Sequence, residues 1–207
     1  LDVEAIYMAK NFLKRELVRE LGGDIRVQYD ALNESVVYDL SSEAIARRKL
    51  KNTLLSYLNA LNDDTLAYAQ YKNADNMTDR LSALSLLANS RGETKQKALS
   101  DFYQRYKSNT LVMNKYLSVI ASSELKETPE NVKKLLEDEV FDLKVPNLVR
   151  SLIVSFARNA LHFHAADGRG YRFVAHQILG LDKVSPQIAS ALSGGYKDYG
   201  HRNVNAQ

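Results

Sequence analysis

From Ser42 onward, apolar side chains recur at steps of three to five residues. Ile45, Leu50, Leu54, Leu55, Leu58 and Leu61 form one such stripe, and Met77, Leu81, Leu84 and Leu87 form another. Leu111, Val112, Tyr116, Leu117 and Ile120 repeat the pattern, as do Val149, Leu152, Ile153 and Phe156. This spacing keeps one face of an α-helix apolar. The first segment, Val3 to Leu21, carries Ile6, Phe12, Leu13 and Leu17, and Gly22-Gly23 predicts its end. Strand signals are sparse: Val36-Val37-Tyr38 is the best β-like triplet, too short for a sheet.

The punctuation agrees with helices joined by short loops. Breaks fall at Asn62-Asp63-Asp64, Lys72 to Asp75, Asn89 to Gly92, Lys107-Ser108-Asn109 and Asp167-Gly168. Each of the three prolines, Pro129, Pro146 and Pro186, precedes an apolar-periodic run. Proline in the first helical turn loses no hydrogen bond, and Thr128 and Ser185 stand where they can cap the free amides. About ten or eleven short helices in this arrangement predict an all-α stack of antiparallel helix pairs, without a strict sequence period.

Composition narrows the chemistry. The chain has 207 residues, 45% of them apolar, enough to bury a core as one large domain or two small ones, and 1–207 is read as one. With 28 Lys+Arg against 25 Asp+Glu the net charge is +3, which gives no reason to expect a nucleic-acid or anionic-membrane partner. No cysteine is present, so disulfides, thiol catalysis and iron–sulfur ligation are excluded, and a reducing cytoplasm is the expected setting. No apolar run reaches the length of a membrane span, and Leu1-Asp2-Val3-Glu4 does not open a signal-peptide layout.

Candidate motifs are few. His162 and His164 are two residues apart, so on a helix they point in different directions. No His-Glu-x-x-His is present, and the pair reads as loop histidines placing the turn before Asp167-Gly168, not as a metal site. The segment Arg169 to Val174 echoes an RNA-binding strand motif, but the run continues with Val174, Ile178 and Leu179 at helical spacing. Gly168-Arg169-Gly170 lacks the third glycine of a dinucleotide fingerprint, and no Gly-x-Ser-x-Gly elbow occurs. Asn33-Glu34-Ser35 and Asn76-Met77-Thr78 match the glycosylation sequon by chance. The basic run Arg47-Arg48-Lys49-Leu50-Lys51 reads as a solvated or salt-bridged helix face. Tyr57, Tyr68, Tyr103 and Tyr116 read as core-edge residues whose hydroxyls reach water.

An ordered series of segments carries a family resemblance. It comprises Arg47 to Asn52 with Leu55-Ser56-Tyr57-Leu58, Asn76 to Asp79, Ala98 to Tyr103 and Thr128 to Val132. Pro146-Asn147 with Arg150 to Ile153, Phe163 to Tyr171 and Pro186 to Ser190 complete it. In this order they resemble the C-terminal domain of the bacterial-type aminopeptidase N family, zinc enzymes of the gluzincin class. Residues 41–207 form the better-matched core and residues 1–40 a helical lead-in.

The resemblance implies a right-handed superhelix of stacked antiparallel helix pairs, an armadillo- or HEAT-like α-solenoid. It implies a non-catalytic cap beside a zinc-bearing catalytic domain of the same parent chain, enclosing a cavity that admits peptides. The zinc is then the parent's, with no cofactor, catalytic residue or metal ligand in this chain. Arg150 matches a family arginine facing that cavity, where a peptide substrate extends; the alternative reading is a helix-surface arginine paired with a carboxylate. Ala191 stands where relatives often carry a second cavity arginine. The family's precedent is a monomeric cytoplasmic parent. Two other readings compete: a free-standing helical scaffold binding a protein or peptide in its groove, and an RNA-binding module built on the basic run and the Arg169 segment.

Overall fold

The computed structural model describes residues 2–33 and 38–194, Ala191 by its backbone only. Among the described residues every regular element is helical: twelve α-helices, one 3₁₀ turn and one π turn. The chain divides into two compact units. One is Tyr7–Asp101, and the other takes in the remaining residues.

The first unit holds most of α1 (Val3–Leu32), α2 (Ser42–Leu58) with a 3₁₀ turn at Asn59–Leu61, α3 (Thr65–Asn73) and α4 (Met77–Leu87). It also holds α5 (Glu93–Tyr106) as far as Asp101. Two N-termini are closed by side chains: Ser41 accepts the Ala44 amide and Asn76 accepts the Asp79 amide. The 3₁₀ turn ends at Asn62, in the left-handed region at φ 64°. α4 packs on both α2 and α3, and Leu55, Ala67, Tyr71, Ala83, Leu84 and Leu87 are buried between them.

α1 departs from the sequence reading in two ways. Gly22-Gly23 does not end it, and the helix continues to Leu32. Two glycines inside a helix cost about 1 kcal/mol each, less than the far half recovers by packing Ile25, Tyr29 and Leu32. The inward face is also not the apolar stripe. It consists of Tyr7, Asn11, Lys14, Val18, Gly22, Ile25, Tyr29 and Leu32, spaced by threes and fours, with Val18 and Tyr29 fully inside. Ile6, Phe12 and Leu13 stand outward, Leu13 with 60% of its surface exposed. Lys14 reaches over the Tyr57 ring at 5.3 Å, so a long cationic side chain does packing work on the inner side.

The second unit contains α6 (Thr110–Ala121), α7 (Thr128–Leu136), α8 (Pro146–Val149), the π turn (Arg150–Val154) and α9 (Ser155–Arg158). α10 (Ala160–Phe163), α11 (Arg169–Asp182) and α12 (Pro186–Ser193) follow. Its core gathers Phe102, Met113, Leu117, Val132, Val149, Leu152, Ile153, Phe156, Phe163 and Val174. Each such side chain contributes about 1.5–3 kcal/mol when fully withdrawn from water. Phe102 stacks on Tyr116, and Phe156 meets Phe173 edge-on at 5.0 Å.

All three prolines stand in the first turn of a helix, as the sequence predicts. The caps beside them do not form as expected. Thr128 is itself the first residue of α7, buried, with no hydrogen-bond partner for its hydroxyl among the described residues. Ser185 stands at the cap position of α12 but makes no side-chain cap bond.

Gly168 and Gly170 are used differently. Gly168 takes φ 72° at the start of α11, a conformation that favours glycine. Gly170 lets α11 cross directly over the backbone of His162 and Phe163.

Candidate functional site

Arg150 lies on the helical stretch opened by Pro146, where the chain leaves the regular α ladder. The Ser155 amide reaches the Arg150 carbonyl five residues back, the signature of a π turn. The buried face of this stretch is the one the sequence predicts, with Val149, Leu152, Ile153 and Phe156 inside, and Leu148 is buried beside them. The π geometry is not predicted by it.

α6 supplies a line of polar side chains against the turn. Asn114 Oδ1 accepts the Ser151 hydroxyl at 3.2 Å. Ser118 donates its hydroxyl to the Ser151 carbonyl at 3.1 Å and accepts the Ser155 hydroxyl at 3.3 Å. Arg150 itself is exposed, and its Nη1 donates to Asn147 Oδ1 at 3.2 Å. Among the described residues no carboxylate pairs with it, so the guanidinium keeps most of its donors for solvent or a ligand. Ala191 is the one position of the family comparison whose side chain is not described.

The other singled-out residues have structural places. His162 lies in α10, not in a loop, buried and stacked on Phe156. Burial pushes its pKa down, the Arg169 charge adds to this, and the backbone at Ser123 and Leu125 pulls the other way. His164 caps α10, with Nδ1 2.6 Å from the Tyr171 hydroxyl. No cluster of three or more His, Asp or Glu able to hold a metal occurs among the described residues. The Arg169 segment is helical throughout, as its spacing predicts. Tyr103 does not send its hydroxyl to water but donates to Asp138 Oδ1 at 2.7 Å. The triplet at Val36-Val37-Tyr38 and the sequon at Asn33 both run into residues outside the described ones. Asn76 of the other sequon is occupied as the cap of α4.

Sequence reasoning missed a buried polar network in the first unit. Asp79 is 3% exposed. Its carboxylate accepts from Lys51 Nζ at 2.5 Å, Asn52 Nδ2 at 2.8 Å and Asn76 Nδ2 at 3.1 Å. Burial pushes its pKa up, but the Lys51, Asn76 and Asn52 donors together hold it below the ordinary carboxylate range. Gln70 donates to Asn52 Oδ1 at 2.7 Å and to the Asp79 carbonyl at 3.0 Å, and Tyr29 donates to Gln70 Oε1 at 3.1 Å. The network floors a cavity of about 500 Å³. The basic run is therefore only partly a solvated face: Lys51 turns inward to Asp79, Arg47 bonds the Leu32 carbonyl, and Arg48 covers the Tyr38 ring. The one signal in the sequence was the Asn76-x-x-Asp79 cap.

The family model described as "Domain of unknown function (DUF3458_C) ARM repeats" matches residues 1–200. This chain belongs to that family. Its ARM-repeat domain is 34% identical over 197 residues to aminopeptidase N of Escherichia coli (strain K12), covering 93% of the chain and 22% of that protein. To aminopeptidase N of Haemophilus influenzae it is 32% identical over 196 residues, again 93% of the chain and 22% of the relative. Among solved structures, Legionella pneumophila aminopeptidase A in complex with aspartic acid superposes with a TM-score of 0.90 at 29% identity. That match covers 100% of this chain and 26% of the other. The domain thus spans about a fifth to a quarter of the length of these relatives. The all-α, armadillo-like class and the relation to the C-terminal domain of aminopeptidase N both follow.

Proposed function

We propose that this ARM-repeat domain is the non-catalytic cap of a zinc-dependent aminopeptidase that removes N-terminal residues from peptides. In this reading 1–207 is one domain that shapes the internal cavity and the access of peptide to it. The observation that carries the reading is the match itself: nearly all of this chain corresponds to a limited part of each aminopeptidase N. The described residues offer no ligand set for zinc, which is assigned to the parent's catalytic domain. No helix among them is long and apolar enough to cross a membrane, and the parent is read as a monomer of the cytoplasm on the family's precedent.

Arg150 is the residue assigned to the peptide. Its guanidinium is exposed and bonded to a neutral amide only, so it can donate to the distal carbonyls or carboxylate of a bound peptide. In a cavity open to water such a contact contributes about 1 kcal/mol. The test is Arg150→Ala in the full-length aminopeptidase. kcat/KM for tri- and tetrapeptides falls by about three- to tenfold, while a single-residue chromogenic substrate, too short to reach Arg150, is hydrolysed as before. Equal losses on short and long substrates would show that Arg150 acts on folding or docking instead.

A further inference from the structure

Above the Asp79 network the first unit holds a cavity of about 500 Å³, a volume in the range of small-molecule sites. Its floor has little left to offer a ligand, because Tyr29, Gln70 and the Asp79 carboxylate bond one another or their neighbours. The walls differ. Leu32, Leu66, Ala69 and the Tyr38 ring give apolar surface on which a carbon skeleton can lie. Two cations of α2 line the same space with donors unused. The Lys51 side chain, 12% exposed, directs one N–H to Asp79 and makes no other hydrogen bond among the described residues. Arg48 makes no hydrogen bond or ion pair among them. It is held over the Tyr38 ring at 4.9 Å, a contact made through the face of the guanidinium that leaves the N–H groups on its edge free.

Charge decides the kind of ligand. Four cations line the cavity, Arg26, Arg47, Arg48 and Lys51, against three carboxylates, Asp30, Asp75 and Asp79. Asp79 matches Lys51 and Asp30 matches Arg26. Arg47 donates to the Leu32 carbonyl, and Asp75 accepts the Asn76 side-chain amide at 2.8 Å. Asp39 is within electrostatic reach of Arg48 but does not line the cavity, and its carboxylate accepts the Ser41 amide at 2.6 Å. The lining therefore has one positive charge in excess, and Arg48 is the cation on it without a partner. A monoanion balances that excess, whereas the second charge of a dianion such as phosphate would be set against the three carboxylates. A carboxylate also presents two oxygens in one plane, the geometry that a guanidinium edge accepts best. We infer that this cavity binds a small organic molecule bearing a single carboxylate. The carboxylate takes Arg48, with Lys51 three residues further along α2 as a second donor, and the apolar remainder lies on Tyr38, Leu32 and Leu66. This goes beyond the aminopeptidase reading and does not depend on the role of Arg150.

The probe is N-acetyl-leucyl-leucine, which has one carboxylate, an apolar body and no free α-amine for an aminopeptidase to act on. Titration calorimetry on the full-length protein is expected to give a Kd of about 0.1 mM, ordinary for roughly twenty non-hydrogen atoms. The neutral C-terminal amide of the same compound binds at least about tenfold more weakly. Arg48→Ala weakens binding of the acid about tenfold, and Arg48→Lys, which keeps the charge without the planar fork, about threefold. Arg48 supports no hydrogen bond among the described residues, so the circular dichroism of Arg48→Ala at 222 nm matches that of the unaltered protein. Arg150→Ala leaves the affinity for the acid unchanged. Equal binding of acid and amide by the unaltered protein would overturn the inference without any variant. So would no binding of the acid at about 10 mM, or an Arg48→Ala protein that binds it as tightly as before. Affinity lost in Arg150→Ala instead would put the carboxylate on Arg150, overturning this site while supporting the assignment of Arg150 to the peptide.

Discussion

The crossing at Gly170 permits a test in which one substitution is predicted to act with opposite sign at two places on the same helix. A Cβ on Gly170 would lie 2.5 Å from the Phe163 carbonyl oxygen and 2.6 Å from Phe163 Cα, with the His162 carbonyl closer still. All three are backbone atoms, so no rotamer change relieves them. α11 has to lift from α10 by about 1 Å, and against backbone that cannot yield the cost stands at the upper end of the usual overpacking range, about 3 kcal/mol. Alanine returns about 1 kcal/mol of helix propensity. Gly170→Ala is therefore expected to destabilise by about 2 kcal/mol, lowering Tm by about 4–8 °C for a chain of this size. Gly180, ten residues on, is exposed, and a Cβ there meets nothing within 4 Å among the described residues. Gly180→Ala keeps the propensity gain and is expected to raise Tm by about 1–4 °C. Thermal denaturation followed by circular dichroism at 222 nm reads both. A Gly170→Ala protein as stable as the parent would refute the close crossing of α10 and α11.

Removing the carboxylate in Asp79→Ala strands Lys51 beneath the surface and is expected to cost about 3–5 kcal/mol in urea unfolding. Arg26→Ala, which breaks the exposed pair with Asp30, is expected to change stability by less than about 0.5 kcal/mol. Two acid steps are expected in stability against pH. His162 is held below its ordinary value, so its contribution is complete above about pH 6.5 and is lost as pH falls from there through the folded value. Asp79 is likewise depressed, and its contribution is present above about pH 3.9 and lost as pH falls through its folded value. His162→Phe, which keeps the ring against Phe156, is expected to abolish the upper step alone, read by urea titrations from about pH 7 down to about pH 2, across both steps. Tyr103→Phe removes the hydroxyl bonded to Asp138 and is expected to cost about 1–2 kcal/mol by the same measurement.

The parts of the fold legible in the sequence are those fixed by short-range chemistry. The prolines mark helix starts because their ring tolerates only the first turn, and Leu84, Leu87, Leu152, Ile153 and Phe156 are buried where their spacing places them. The misreadings arise where tertiary packing outweighs local preference. On α1 the stripe of Ile6, Phe12 and Leu13 outscores the true inner face because that face includes Asn11, Lys14 and Gly22, which carry no hydrophobic signal. Ile45, Leu50 and Leu111 belong to apolar stripes yet are exposed. The site was legible only as one residue: Arg150 stood out by family resemblance, but the α6 residues that meet its turn are Ser118 and Asn114, thirty or more positions from the Ser151 and Ser155 they bond. Nothing in the spacing of such residues marks a π turn, because the same buried pattern fits a regular helix.

The polar network around Asp79 has a direction. Lys51, Asn52 and Asn76 all donate to the carboxylate. Asn52 has thus committed its amide NH₂ inward and shows an oxygen outward, which obliges Gln70 to donate to it. Gln70 then shows its own oxygen to Tyr29, whose hydroxyl must donate in turn, and whose pKa is raised to about 12 by burial first and by Asp30 and Asp79 after it. One negative charge on α4 thereby dictates which way two amides and a phenol face on three other helices. The carboxylate's two oxygens divide the work: Oδ1 starts this chain at Asn52, while Oδ2 takes both Lys51 and Asn76. Asp79→Asn, nearly identical in shape, can keep an oxygen toward Asn52 only by turning its NH₂ onto those two donors, so the conflict falls at the head of the chain while Gln70 stays fixed by the backbone carbonyl of residue 79.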